Sequence, residues 1–172
     1  GRLDEGPLAL AGGPLPAKPT HVFLPPSERV FYAEGGEVRG DAPPTRPLLV
    51  VGWTAEDEDC LAFVDRFMGE PFPDDLWFNR RRGAIIVTVS GRCGPGGTFR
   101  ALSRGNADLE WASTGDRYVV VAHSDAGRAL AARIPGTEGG EDLFEALRPE
   151  SAAAPREGQD ILFQTYTFDV RV

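Results

Sequence analysis

One stretch of the chain is continuously apolar, and another is apolar at helical spacing. Leu48-Leu49-Val50-Val51-Gly52-Trp53 is a run of the kind that forms a strand buried on both faces, and Ala84–Ser90 reads as a second buried strand. Between them Cys60, Leu61, Val64, Phe67 and Met68 recur every three or four residues. That spacing predicts a helix over 54–68 with these side chains toward the core. Thr54 is its expected N-cap, and Asp57 three residues on makes a capping-box variant. Glu56, Asp57, Glu58 and Asp59 complement the positive helix start, and Gly69 suits its end. Strand, helix, strand in this order predicts a right-handed crossover with parallel pairing.

The remaining pattern is of shorter range. Thr20–Leu24 reads as a strand stopped by Pro25-Pro26. Arg29–Ala33 and Glu37–Arg39 flank the hairpin signal Glu34-Gly35-Gly36. Glu70 to Gly83 reads as a loop carrying a short apolar insert, Leu76-Trp77-Phe78. Thr98–Ser103, Ala107–Ala112 and Arg117–Ala122 read as strands, the last two joined at Ser113-Thr114-Gly115-Asp116. Ser124 or Asp125 is the expected cap of a short helix reaching Ile134. Glu141–Arg148 is a second short helix, stopped by Pro149, and Asp160–Val172 alternates as a final strand. Residues 1–19 are Pro/Gly-rich and aperiodic, an extended arm or linker, which leaves 20–172 as one domain. The expected fold class is therefore α/β or α+β. It has a mixed sheet of about six or more strands, one main helix (54–68) and two short helices.

Composition narrows the chemistry more than the fold. At 172 residues the chain is long enough for one core, and no apolar run approaches the ~18 residues of a membrane span. Lys18 is the only lysine, and arginine usage beside abundant Gly and Pro suits a GC-rich genome. A Schiff-base lysine is not expected, and the Gly-Lys-Ser/Thr phosphate loop is absent. Cys60, Cys93, His21 and His123 are scattered singly, so no metal or cofactor is expected. Two cysteines in a chain of this size suit a soluble protein of a reducing, intracellular compartment. A start at Gly1 rather than methionine is expected of a piece of a longer protein.

The net charge of −8 is unevenly spread: −1 over 1–53, −7 over 54–75, +6 over 76–106 and −6 over 107–172. Arg80, Arg81 and Arg82 follow Trp77-Phe78, and Arg92 and Arg100 lie further on in the same basic segment. Guanidinium forks bind phosphate and aromatic faces stack on bases, although the overall acidity opposes nucleic-acid binding. Ser90–Gly97 follows a buried strand, where open α/β sheets place ligands. Six residues separate Cys93 from Arg100, one more than a Cys-x5-Arg phosphate loop allows. His123 is a candidate base for Cys93 or Ser124. Glu56, Asp57, Glu58 and Asp59 form a candidate acidic face for steering a basic partner.

With catalytic residue types scarce and no complete catalytic motif, the expectation is a non-catalytic protein–protein interaction domain. Its partner would be another protein; an acidic inhibitor of a basic protein and an assembly module are two versions. The alternatives are a phosphate or nucleic-acid binder using the 76–106 arginines, and a cysteine hydrolase using Cys93 and His123.

Overall fold

In the computed structural model the described residues are 22–23, 27, 29–40 and 48–154. They form a mixed α/β fold with a four-stranded sheet and a separate two-stranded hairpin. The hairpin pairs β1 (Phe31–Glu34) with β2 (Glu37–Gly40) around Gly35-Gly36, as the turn signal predicts. The main sheet has the order β3 (Leu48–Trp53), β4 (Ala84–Gly91), β5 (Leu109–Ser113), β6 (Tyr118–Ala122). β3, β4 and β5 run parallel, and β6 returns antiparallel to β5. β4 and β5 are the inner strands, and β4 is buried along nearly its whole length.

The connection from β3 to β4 carries two helices, α1 (Ala55–Gly69) and α2 (Asp75–Arg81). The capping box of α1 forms as expected: Asp57 N–H donates to Thr54 Oγ1 at 3.2 Å, and Thr54 N–H donates to Asp57 Oδ2 at 3.1 Å. Leu61 is buried, and Val64 and Met68 pack against the same cluster. Phe67, expected inward with them, is instead 69% exposed. The inward stripe runs through Ala55, Glu58 and Leu61, which turns positions 63 and 67 to the opposite side.

α2 replaces the expected loop at 76–78. Asp74 caps it by accepting from Trp77 N–H at 3.0 Å. Asp65 of α1 then accepts from both Trp77 Nε1 (2.8 Å) and Arg81 Nε (3.1 Å), clamping the two helices together. Phe23, Trp53 and Trp77 meet edge to face in the cluster beneath them. Trp53 reaches that cluster through a bulge at Gly52, whose φ of +96° suits glycine and shifts the β3 register by one residue.

The segment 92–108 between β4 and β5 is irregular, and the expected strand at 98–103 is reduced to a single bridge between Gly91 and Arg100. The cause is visible in its amides. Leu102 N–H donates to Ser151 Oγ at 2.9 Å and Ser103 N–H to a Glu110 carboxylate oxygen at 2.8 Å. Both are spent on side chains and are lost to any ladder. Among the described residues the main sheet has four strands.

After β6, Ser124 caps α3 (Asp125–Ala131), accepting from Gly127 N–H at 3.0 Å. Gly127 lies against the Asp108 carbonyl so closely that a Cβ there would come within 1.7 Å of its oxygen. The single helix expected over 141–148 is two, α4 (Glu141–Glu145) and α5 (Arg148–Ala153). Pro149 sits in the first turn of α5, where its missing N–H costs nothing. The expected arm (1–19), most of the strand at 20–24 and the final strand (160–172) lie outside the described residues. Among the described residues, no helix is long and apolar enough to cross a membrane.

Candidate functional site

Side chains alternate across a strand, so the register decides which ones share a face. Thr88 pairs with Glu110 and Ser90 with Ala112, which places Ile86, Thr88, Ser90, Glu110 and Ala112 on one face of the sheet. β6 adds Val121 opposite Glu110 and Val119 opposite Ala112. Two apolar clusters cover this face. One joins Ile86 to Trp53, Leu61 and Trp77; the other joins Ala112 and Val119 to Leu102, Phe144 and Leu147. The polar residues form a seam between them.

Two buried carboxylates occupy the seam. Glu58 of α1 accepts from Thr88 Oγ1 at 2.5 Å, from Ser103 Oγ at 2.9 Å and from the Asn106 backbone. Glu110 of β5 accepts from Ser90 Oγ at 2.5 Å and from Ser103 N–H at 2.8 Å, and its second oxygen meets His123 Nε2 at 3.2 Å. Ser103 therefore bridges the pair, its hydroxyl on one carboxylate and its amide on the other. Burial pushes the Glu58 carboxyl above its ordinary range despite these donors. The Glu110 hydrogen bond raises His123, against the opposing effect of burial, so the imidazolium form is favoured. His123 Nδ1 has no hydrogen-bond partner among the described residues.

Above the seam lies a cleft of about 570 Å³, within the usual range for a small-ligand site. His123 and Ser103 line it, with Arg104, Glu56, Phe144 and Arg148 around them. Arg104 also pairs with Asp59 at 2.8 Å, and Arg148 pairs with Glu145 at 2.7 Å while lying over the Phe144 ring.

The sequence-derived candidates do not assemble into the expected groups. The arginines fall at two ends of β4. Arg80, Arg81 and Arg82 precede its start, and Arg92 and Arg100 follow or bridge its end. Seven residue steps at ~3.3 Å separate those ends by about 23 Å. Arg80 donates to the Phe23 carbonyl, Arg81 to Asp65, and Arg92 to Glu150 and the Thr114 carbonyl. In the glycine-rich loop, the amides of Arg92, Cys93, Gly94 and Gly97 all donate to backbone carbonyls, which leaves few for a phosphate.

Cys93 and His123 are separated in the same way. Cys93 follows Gly91, paired with Ser113 at the end of β5; His123 follows Ala122, paired with Leu109 at its start. Four steps make about 13 Å along the strand. Burial raises the Cys93 thiol, outweighing the lowering influence of Arg100, which is opposite to the tuning of a nucleophilic cysteine.

The four acids at 56–59 divide four ways. Glu56 lines the cleft, Asp57 closes the capping box, Glu58 is buried in the seam, and Asp59 pairs with Arg104. Glu58, at 2% exposure, leaves the exposed acidic face. A different feature stands on the outer side of α1. Phe63 and Phe67 are each 69% exposed, and Phe72 just beyond the helix is 86% exposed. Asp59, Phe63, Phe67 and Glu70 follow at intervals of four, four and three, so the first three make one helical stripe that Glu70 extends at the helix end. The sequence signal for it was present: at 100° per residue, position 63 lies nearly opposite Leu61. No family model, curated protein or solved structure matches the chain.

Proposed function

We propose that the protein is a non-catalytic binding module that docks a basic, amphipathic protein segment on the outer face of α1. The observation that carries this reading is the exposure of Phe63, Phe67 and Phe72 within ten residues. Full burial of one phenylalanine is worth ~1.5–3 kcal/mol, and aromatic anchors dominate interface energetics. The partner's charge follows from the surroundings. Glu70 extends the aromatic stripe at the helix end, and Asp74 and Asp75 lie just beyond Phe72 in sequence. Apolar anchors flanked by Arg or Lys complement it, and steering by this field speeds their encounter. The nucleic-acid and cysteine-hydrolase alternatives draw less support, since their residues lie apart along the sheet.

The test is a titration of the full chain with a synthetic amphipathic Leu/Lys peptide and its Leu/Glu counterpart, followed by NMR. The expected result is saturable binding of the Leu/Lys peptide with shifts centred on α1. It weakens with salt and falls roughly tenfold or more in the Phe63→Ser/Phe67→Ser variant. Equal binding of the Leu/Glu peptide, or undiminished binding by the variant, overturns the reading. So does self-association through α1, which makes a second copy the occupant.

A further inference from the structure

We infer that the cleft over the polar seam is a binding site for a small organic anion: a carboxylate or phosphate head on a compact apolar body. The chain is net −8, yet the charged side chains lining this cleft are Arg104, Arg148 and His123 against one carboxylate, Glu56. His123 is the central group. Glu110 fixes its ring by taking Nε2, which leaves Nδ1 as the one nitrogen able to donate into the cleft. Ser103 is held in the same rigid manner by Glu58 and Glu110. Arg148 is oriented over Phe144, and its pairing with Glu145 is exposed, so a ligand oxygen competes for it at little cost. Phe144 and Leu102 supply an apolar wall for the body of the ligand.

The acids near His123 set the pH response. Glu110 from β5 and Glu58 from α1 act on it directly, and Glu56, Arg104 with its partner Asp59, and Arg148 with its partner Glu145 complete the charged surroundings. Both neighbouring acids raise His123, and Glu58 is itself raised by burial. Each proton gained as the pH falls adds positive charge at the floor of the cleft, so anion affinity rises on acidification.

The experiment is an NMR titration of the full chain with phenyl phosphate, benzoate and neutral benzamide. Saturable shifts at Ser103, Gly105 and His123 with either anion support the site. Saturation by phenyl phosphate alone assigns a phosphate head, and saturation by benzoate alone assigns a carboxylate head. Benzoate is charged throughout the range used, so its affinity is measured at about pH 6 and about pH 8.5, where it falls with loss of the imidazolium proton. His123→Gln retains an N–H for Glu110, and together with Arg148→Gln lowers affinity roughly tenfold or more. Benzamide binding as well as benzoate, unchanged affinity in the double variant, or no saturable shift with either anion overturns the inference.

Discussion

The two sides of α1 invert the usual rule of inside and outside, and they do so with different consequences. On the inner side Glu58 is a carboxylate at 2% exposure; on the outer side Phe63 and Phe67 are each 69% exposed. The inner inversion is compensated within the fold. Glu58 meets three donors, and Glu110 beside it meets three more, one shared residue, Ser103, serving both. The outer inversion is not compensated among the contacts of the apolar clusters, neither of which includes Phe63 or Phe67. A buried carboxyl whose oxygens are bonded explains itself as architecture, because it fastens the irregular segment 101–106 to the sheet. Exposed aromatic area that lacks such partners asks for something outside the fold.

The comparison breaks most severely at Glu110. Glu110→Ala strips the shared acceptor from Ser90, Ser103 and His123. Equilibrium urea unfolding is expected to show a loss of about 3–5 kcal/mol. Ser103→Ala keeps the amide bond to Glu110 and removes the hydroxyl that donates to Glu58 and accepts from Gly105 N–H, so the same measurement is expected to show about 1–2 kcal/mol. Hydrogen exchange should rise with it across 101–106.

A smaller effect separates the histidine from the carboxylates. His123 is raised in the folded state, so its stabilising contribution is complete below its ordinary value near 6.5. It is lost as pH rises through the folded value. The stability margin of the native protein over His123→Gln should therefore narrow as pH climbs above about 6.5. A margin that widens contradicts the Glu110–His123 pairing. The smallest stability effect belongs to the outer side: Phe63→Ser/Phe67→Ser should shift unfolding by no more than about 0.5 kcal/mol.

Much of the fold was legible because local signals agreed with one another. The apolar run of β3, the capping box at Thr54–Asp57 and the turn at Gly35-Gly36 each have a short-range cause. Two of the misreadings have a longer-range cause. Residues 98–103 have strand composition, but the Ser151 hydroxyl and the Glu110 carboxylate take two of their amides. Phe67 has the spacing of a core residue, but Glu58 rather than an apolar side chain sets the inward stripe. The seam itself was illegible. Thr88, Ser90 and Glu110 look like ordinary polar positions in their strands until the β4–β5 register places them on one face. His123 stood out as a candidate, but its partner is Glu110, thirteen residues upstream, rather than Cys93.

On the proposed reading α1 is structural on its inner side and binds a partner on its outer side. The most direct test measures unfolding and Leu/Lys peptide affinity together in the Phe63→Ser/Phe67→Ser variant. The account predicts an unfolding midpoint close to that of the native protein with affinity reduced roughly tenfold or more. A lowered midpoint with affinity intact would place the phenylalanines in the fold's own stability and contradict the account.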